Sequence, residues 1–118
     1  MILLIDDNDA ERGVTRKILE QAGYSVREAV DGESGLAHFR NRPPELVLCD
    51  LMMPGRSGFE VVRELKALDP NLRIIAISGV LFGFADHDTM KESLDLAGVI
   101  EKPYRPARLL QVVREALG

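Results

Sequence analysis

The chain has 118 residues, a formal net charge of −4 and one cysteine. This length is typical of one domain and allows a core without disulfides or a structural metal, so we expect a single domain over residues 1–118. The negative charge, without a cluster of Lys and Arg, argues against direct nucleic-acid binding, and no uncharged segment is long enough to cross a membrane.

Short apolar runs alternate with helical patterns five times along the chain, which is typical of parallel strands joined by crossover helices. The first, third and fourth runs are nearly all apolar, as expected for central strands that are covered on both faces. The predicted strands are Ile2–Ile5, Tyr24–Glu28, Leu46–Cys49, Leu72–Ile77 and Val99–Ile100. The pattern predicts an α/β fold, a doubly wound (βα)5 unit.

The first helix is predicted to begin with Asp9 as its N-cap and to end at Gly23, a residue type that often follows a helix. Its apolar residues recur at helical spacing, which predicts that they face the core. They are Val14, Ile18, Leu19 and Ala22.

The other four helices have clear start or stop signals, in particular prolines. They are predicted at about residues 33–41, from about Gly58 to residue 69, at about residues 87–97, and after Pro106. Leu68 in the third helix and Ala97 in the fourth are predicted to be core residues because they continue the apolar spacing.

Cys49 lies at the end of an apolar strand, which is typical of a reduced core cysteine rather than a disulfide partner. Met1 is followed by an apolar run and then by acidic residues, without the basic leader or the cleavage site of a secretory signal. We therefore expect a cytoplasmic protein that does not bind membranes.

Polar residues follow four of the predicted strands. The first strand ends at Asp6 and Asp7, the third at Asp50 and the fourth at Ser78, and Lys102 follows the fifth. Each residue alone is typical of a turn or a helix cap. Because parallel strands end at the same edge of a sheet, however, we expect these side chains to converge.

Three converging carboxylates repel one another unless a cation neutralises them or some of them bind protons. Oxygen ligands without His or Cys are typical of a Mg²⁺ site. Lys102 would add a positive charge and Ser78 a hydroxyl, which together with the metal could stabilise a transferring phosphoryl group. One carboxylate could then serve as the nucleophile.

These motifs, taken together, resemble those of the receiver domains of bacterial two-component response regulators, over essentially the whole chain. The resemblance implies a flavodoxin-like sheet with the strand order 2-1-3-4-5. The motifs are Asp6–Asp7, Asp50–Pro54 with Gly58, Ser78–Gly79, and Glu101–Lys102–Pro103.

The resemblance also implies roles for the acidic residues. Asp50 would accept the phosphoryl group. Asp7, Asp50 and the backbone carbonyl of Met52 would bind Mg²⁺, and Asp6 would complete the metal site by orienting a metal-bound water.

Lys102 would pair with the phosphoryl oxygens, and Ser78 would move to hydrogen-bond them, changing the face formed by the fourth helix, fifth strand and fifth helix. The implied phosphoryl donor is a phosphohistidine on a sensor histidine kinase or a histidine phosphotransfer protein. The implied recipient of the signal is an effector protein or an attached output domain. The chain would catalyse only its own phosphorylation and autodephosphorylation, so it would not be an enzyme acting on other substrates.

The sequence departs from the usual receiver pattern in one place and is unusual in others. Val99 stands three residues before the lysine, where receivers commonly have an aromatic switch residue, so the usual aromatic rotation cannot occur. Met52 and Val80 are apolar and resemble the positions that flank the attacking water, which predicts slow loss of the phosphoryl group. Phe82 and Phe84 are expected to pack inward rather than to contact a partner.

Three other interpretations are possible. A haloacid-dehalogenase-like phosphohydrolase would need a second Asp two residues after Asp50, where this chain has Met52. A flavodoxin would need a phosphate-binding loop after the first strand, where this chain is acidic. A receiver-like interaction module that works without phosphorylation is disfavoured by the full acidic set, although Val99 is compatible with it.

Overall fold

In the computed structural model, residues 1–55 and 57–118 are described, and strands and helices alternate along them. Their order is β1 (Ile2–Ile5), α1 (Asp9–Gln21), β2 (Val26–Ala29), α2 (Gly32–Asn41), β3 (Leu46–Asp50), α3 (Gly58–Leu68), β4 (Arg73–Ser78), α4 (His87–Ser93), β5 (Gly98–Glu101) and α5 (Pro106–Leu117). Within this part of the chain, no helix has both the length and the apolar character needed to traverse a bilayer.

The five strands form one parallel sheet in the order β2-β1-β3-β4-β5, which confirms the predicted doubly wound fold. Leu4 of β1 lies beside Glu28 of β2 and Leu48 of β3, and Asp50 lies beside Ile77 of β4. Every residue of β1 and β3 is buried, whereas three of the four residues of β2 are only partly buried. The nearly unbroken apolar runs are therefore the central strands, as their composition predicts.

Two apolar layers cover the two faces of the sheet. One contains side chains of α2, α3 and α4, including Leu36, Val62 and Met90, and the other contains side chains of α1 and α5, including Leu19 and Leu109. Each fully buried Leu or Ile contributes about 1.5–3 kcal/mol relative to an exposed one. With both faces covered, the carboxyl edge of the sheet is left for polar groups.

The predicted start of the first helix is wrong by one residue. Asn8, not Asp9, is the N-cap: its side chain accepts a hydrogen bond from the Glu11 N–H at 2.9 Å. Asp9 is the first helical residue, and its carboxylate accepts a hydrogen bond from Arg12. Gly23 does terminate the helix, as predicted. It follows the C-cap residue with φ 97°, a left-handed conformation that glycine adopts without a steric penalty.

Three predicted core positions are also wrong. Val14 is 57% exposed because α1 turns the neighbouring Thr15 inward, where its hydroxyl bonds to the Tyr104 hydroxyl. Leu68, the last residue of α3, is exposed as well. Ala22, the C-cap residue of α1, is exposed too.

The predicted fourth helix is too long. Ala97 packs against the apolar layer of α1 and α5, but it lies beyond α4, because its N–H already donates to the Ile74 carbonyl at 2.8 Å as the chain enters the sheet.

The predicted second strand starts two residues too early. Tyr24 belongs to the turn after α1, since its N–H donates to the Leu19 carbonyl at 3.1 Å. The strand itself begins at Val26. Boundary shifts of this size do not alter the topology.

Candidate functional site

Two buried carboxylates lie side by side at the carboxyl edge of the sheet. Asp6 follows β1 and Asp50 ends β3, and each is 2% exposed. Glu11, on the first turn of α1, reaches the same place, so that one carboxylate oxygen from each of the three residues lies within 4.8 Å of the others. Glu11 is not part of the sequence motifs named above, although it lies only four residues after Asp7.

Asp7 differs from this group. It is exposed, and among the described residues the cluster consists of Asp6, Glu11 and Asp50 rather than including Asp7. The assignment of Asp7 as a metal ligand stays a prediction.

Hydrogen bonds hold both buried carboxylates in place. Asp50 accepts from the Met52 N–H at 2.9 Å through Oδ1 and from Lys102 Nζ at 2.8 Å through Oδ2. Asp6 accepts from the Asn8 N–H at 2.9 Å. Burial, together with the negative charge of Asp50, raises the pKa of Asp6 to about 6 despite that hydrogen bond. The pocket therefore carries negative charge that the protein's own groups do not fully neutralise.

Lys102 provides the positive charge of the pocket. Its Nζ lies 2.8 Å from Asp50 Oδ2 and 3.0 Å from Glu11 Oε2. Burial lowers the pKa of Lys102, but the hydrogen bonds to Asp50 and Glu11 outweigh it and raise this pKa above its usual value. Its backbone N–H donates to the Ser78 carbonyl at 2.9 Å, which ties the ends of β4 and β5 together.

Ser78 is fully buried at the end of β4, and its hydroxyl is engaged with its own loop. Its Oγ donates to the Val80 carbonyl at 2.6 Å and accepts from the Val80 N–H at 3.1 Å. To donate to a group on Asp50, the hydroxyl must give up its hydrogen bond to the Val80 carbonyl.

The motif after β3 contains a glycine, Gly58, at a position where the backbone of another segment lies very close. A Cβ at this position would lie 2.4 Å from the Asp50 carbonyl oxygen and from Leu51 Cα, closer than real Cβ contacts. Both of those atoms are backbone, so they cannot swing aside as the end of a side chain can. Glycine thus lets α3 begin against the end of β3, next to Asp50.

Two aromatic residues of the segment between β4 and α4 pack on α3. The ring of Phe82 contacts the ring of Phe59 edge to face, with the ring centroids 4.6 Å apart. The ring of Phe84 stacks on the same Phe59 ring, with the centroids 6.5 Å apart. Phe84 also packs against the apolar layer under α3, while Phe82 stays 39% exposed and has φ 51°. The expectation of inward packing therefore agrees with Phe84, whereas Phe82 contacts Phe59 but stays exposed. Both contacts anchor the loop that follows Ser78.

Val99 lies on the edge strand β5, beside a space between α4 on one face of the sheet and α5 on the other. A cavity of about 540 Å³ is lined there by His87, Val99, Glu101 and Tyr104, among others. Val99 itself is only partly buried.

The donor set of the pocket fits Mg²⁺. Its three clustered carboxylates offer oxygen ligands without His or Cys. Burial, and to a smaller extent the nearby charge of Asp50, raises the pKa of Asp6, so a bound cation would stabilise its charged form. Met52 is placed beside Asp50 by the hydrogen bond from its N–H.

Comparisons with known proteins agree with this geometry. The sequence matches the family of response regulator receiver domains over residues 2–114. It is 31% identical to the autoinducer 1 sensor kinase/phosphatase LuxN of Vibrio campbellii, covering 99% of this chain but 13% of LuxN. It is 28% identical to the chemotaxis protein CheY of Halobacterium salinarum, covering 98% of this chain and 95% of CheY.

The fold has close structural neighbours as well. The receiver domain of NtrX from Brucella abortus superimposes with a TM-score of 0.88 at 31% identity, covering 99% of this chain and 98% of that one.

The fold and the acidic edge of the sheet define a phosphoryl-accepting signalling switch. The chain belongs to the response regulator receiver domain family of two-component systems. Receiver domains bind Mg²⁺ at an acidic pocket, interact with sensor kinases and output domains, and are generally not enzymes. The phosphohydrolase and flavodoxin interpretations are left without support.

Proposed function

We propose that Asp50 accepts a phosphoryl group from a phosphohistidine in a Mg²⁺-dependent reaction, and that the resulting aspartyl phosphate is the signal. The observation that carries this proposal is the pairing of a buried carboxylate with a lysine: Asp50 Oδ2 lies 2.8 Å from Lys102 Nζ while Oδ1 is held by the Met52 N–H. An anchored carboxylate next to a fixed cation suits nucleophilic attack on an anionic phosphoryl group.

The residues around Asp50 have different roles in the proposed phosphoryl transfer. In the transfer, an Asp50 oxygen forms a bond to phosphorus as the phosphorus–nitrogen bond to the donor imidazole breaks. Lys102 keeps a positive charge beside the phosphoryl oxygens. Asp6, Asp7, Asp50 and the Met52 carbonyl would hold Mg²⁺, which when bound neutralises charge on the phosphoryl oxygens.

The relay begins at Ser78. In our proposal its hydroxyl exchanges the Val80 backbone for a phosphoryl oxygen, and this exchange moves the loop that Phe82 and Phe84 attach to α3. Together with Lys102, it changes the face formed by α4, β5 and α5. Because Val99 lacks a ring to rotate, the loop itself carries the change.

We further propose that this chain catalyses its own phosphorylation and autodephosphorylation, and that the latter is slow. Met52 lies two residues after Asp50, and Val80 lies two residues after Ser78. Both side chains are exposed, and neither can orient an attacking water. Met52→Asn or Val80→Glu should therefore speed the loss of phosphate from purified phosphoprotein, followed by intact mass. Rapid loss from the unmodified chain that neither change alters would contradict this proposal.

The expected partners are a sensor histidine kinase or a histidine phosphotransfer protein upstream, and an effector protein or an attached output domain downstream. A cytoplasmic location fits such partners. The family membership and the resemblance to LuxN, a sensor kinase/phosphatase, support this arrangement.

The acceptor is tested by intact-mass analysis after incubation with Mg²⁺ and acetyl phosphate. The unmodified chain should gain one phosphoryl group, and Asp50→Asn should gain none. Lys102→Ala should gain it more slowly, because the cation beside the acceptor is lost. If Asp50→Asn gains phosphate as the unmodified chain does, the acceptor is a different residue.

A further inference from the structure

Glu11 gives Lys102 a second carboxylate partner. Lys102 Nζ lies 3.0 Å from Glu11 Oε2 and 2.8 Å from Asp50 Oδ2, so one ammonium group is shared by two anions. The two differ in environment: the side chain of Asp50 is 3% exposed, whereas that of Glu11 is 50% exposed.

This difference makes Glu11 the exchangeable partner. A half-exposed ion pair contributes little net stability, because water solvates the separated charges nearly as well. A buried carboxylate, in contrast, depends strongly on its partner. Lys102 can therefore leave Glu11 at small cost but cannot easily leave Asp50.

The position of Glu11 is set by the start of α1. Asn8 accepts a hydrogen bond from the Glu11 N–H at 2.9 Å, which fixes the backbone from which the side chain reaches Lys102. The neighbouring Arg12 is engaged elsewhere: it pairs with Asp9 and Glu28 and donates to the Asp6 carbonyl. Within the part of the chain that the structure describes, Glu11 forms its ion pair with Lys102.

A phosphoryl group on Asp50 would need the same ammonium group. It brings further negative charge to a place where an oxygen of Glu11 already lies within 4.8 Å of one of Asp50. The phosphoryl group would add charge to one of the two anions that already share Lys102, so the repulsion between Asp50 and Glu11 would rise.

We propose that Glu11 is a positioning residue that competes with the phosphoryl group for Lys102 and thereby restrains phosphorylation of Asp50. This inference rests on the proposed function of Asp50 as the acceptor. In the unphosphorylated chain Glu11 holds Lys102 at the mouth of the pocket, and phosphorylation requires this contact to be exchanged.

The test compares Glu11→Gln with Glu20→Gln. Glu20 lies on the same helix, has a similarly exposed side chain and pairs with Arg16, so it controls for the loss of one charge and one ion pair on α1. Initial rates of phosphorylation are measured by intact mass with acetyl phosphate at saturating Mg²⁺. Glu11→Gln should be phosphorylated about three- to tenfold faster than the unmodified chain, and Glu20→Gln at an unchanged rate.

A double-variant cycle shows whether Glu11 acts through Lys102. In a Lys102→Ala background, Glu11→Gln should change the rate by less than about twofold, because there is no ammonium group left to compete for. An equal acceleration in that background would overturn the proposal, since Glu11 would then act by direct repulsion. An unchanged or lower rate for Glu11→Gln in the unmodified background would overturn it too.

The same series separates the two proposals. If the unmodified chain gains phosphate, Asp50→Asn does not, and Glu11→Gln is no faster, then only the role of Glu11 is wrong. If Asp50→Asn gains phosphate like the unmodified chain, the acceptor assignment fails, and the role of Glu11 fails with it.

Discussion

The acceptor pocket and the face formed by α4, β5 and α5 are built very differently, although one sheet carries both. In the pocket, Asp6 and Asp50 are buried and hydrogen-bonded, and Gly58 lets the backbone of α3 approach closely. On the other face, α4 is only seven residues long and Val99 lines a cavity of about 540 Å³. The pocket is therefore tightly constrained, whereas the face formed by α4, β5 and α5 is more loosely packed and should tolerate substitution better.

The largest expected effect is at Gly58. Gly58→Ala places a Cβ against backbone atoms of Asp50 and Leu51, so we expect a loss of about 2 kcal/mol or more in the free energy of unfolding, measured in urea. The rate of phosphorylation should fall about tenfold or more, because Asp50 is displaced.

Gly13→Ala is the matched control for this change. Gly13 lies within α1, and a Cβ there would have nothing within 4 Å. This substitution should raise the free energy of unfolding by about 0.5–1 kcal/mol, since alanine favours the helix. If Gly58→Ala behaved like Gly13→Ala, the pocket would be less rigid than its backbone contacts indicate.

The next largest change in the free energy of unfolding is expected at Asp6, whose carboxylate is buried. The pKa of Asp6 in the folded chain is about 6, against an ordinary value of 3.8, so the folded state binds a proton more tightly than the unfolded state does. The contribution of Asp6 to the free energy of unfolding therefore falls as pH rises from about 4 to about 6 and stays low above that window. In the absence of metal, Asp6→Asn should be more stable than the unmodified chain by about 1–3 kcal/mol at pH 8 and nearly equal to it at pH 4.

Asp7→Asn serves as its control, because it removes an exposed carboxylate beside Asp6. Without metal it should change the free energy of unfolding by less than about 0.5 kcal/mol at either pH. Chemical denaturation with a chelator at several pH values measures both variants. Destabilisation by Asp6→Asn at pH 8 would show that the pocket does not carry excess negative charge.

The smallest effect is expected on the output face. Val99→Phe enlarges a residue beside an existing cavity, so the free energy of unfolding should change by less than about 1 kcal/mol. The phosphorylation rate should stay within about twofold of the unmodified chain, because Lys102 and Asp50 keep their contacts. A tenfold fall in that rate would show that the two regions are coupled more tightly than their packing suggests.

The sequence predicts the sheet and much of the pocket for the same physical reason. Buried central strands must be apolar, and parallel strands end at one edge, so Asp6, Asp50, Ser78 and Lys102 had to lie near one another. Glu11 could not be predicted in this way. Its contact with Lys102 depends on the length of its side chain and on the helix beginning one residue earlier than predicted.

The errors on the helices have a related cause. Apolar spacing indicates that a helix has an inner face, but the rotation that selects Thr15 over Val14 depends on Tyr104, which lies 89 residues away from Thr15 in the chain. The end of α4 depends on Ala97 pairing with Ile74, a contact between two segments. Neither partner can be read from the local pattern.

The residues of the pocket are far apart in the sequence, which affects the stage of synthesis at which the chain can first be phosphorylated. Its parts come from the ends of β1, β3, β4 and β5, and Lys102 follows the last of these strands. If Asp50 is the acceptor, a polypeptide still emerging from the ribosome without β5 lacks the cation that the transfer needs. Competence to receive phosphate would then require synthesis of the chain at least as far as Lys102 and pairing of β5 with β4.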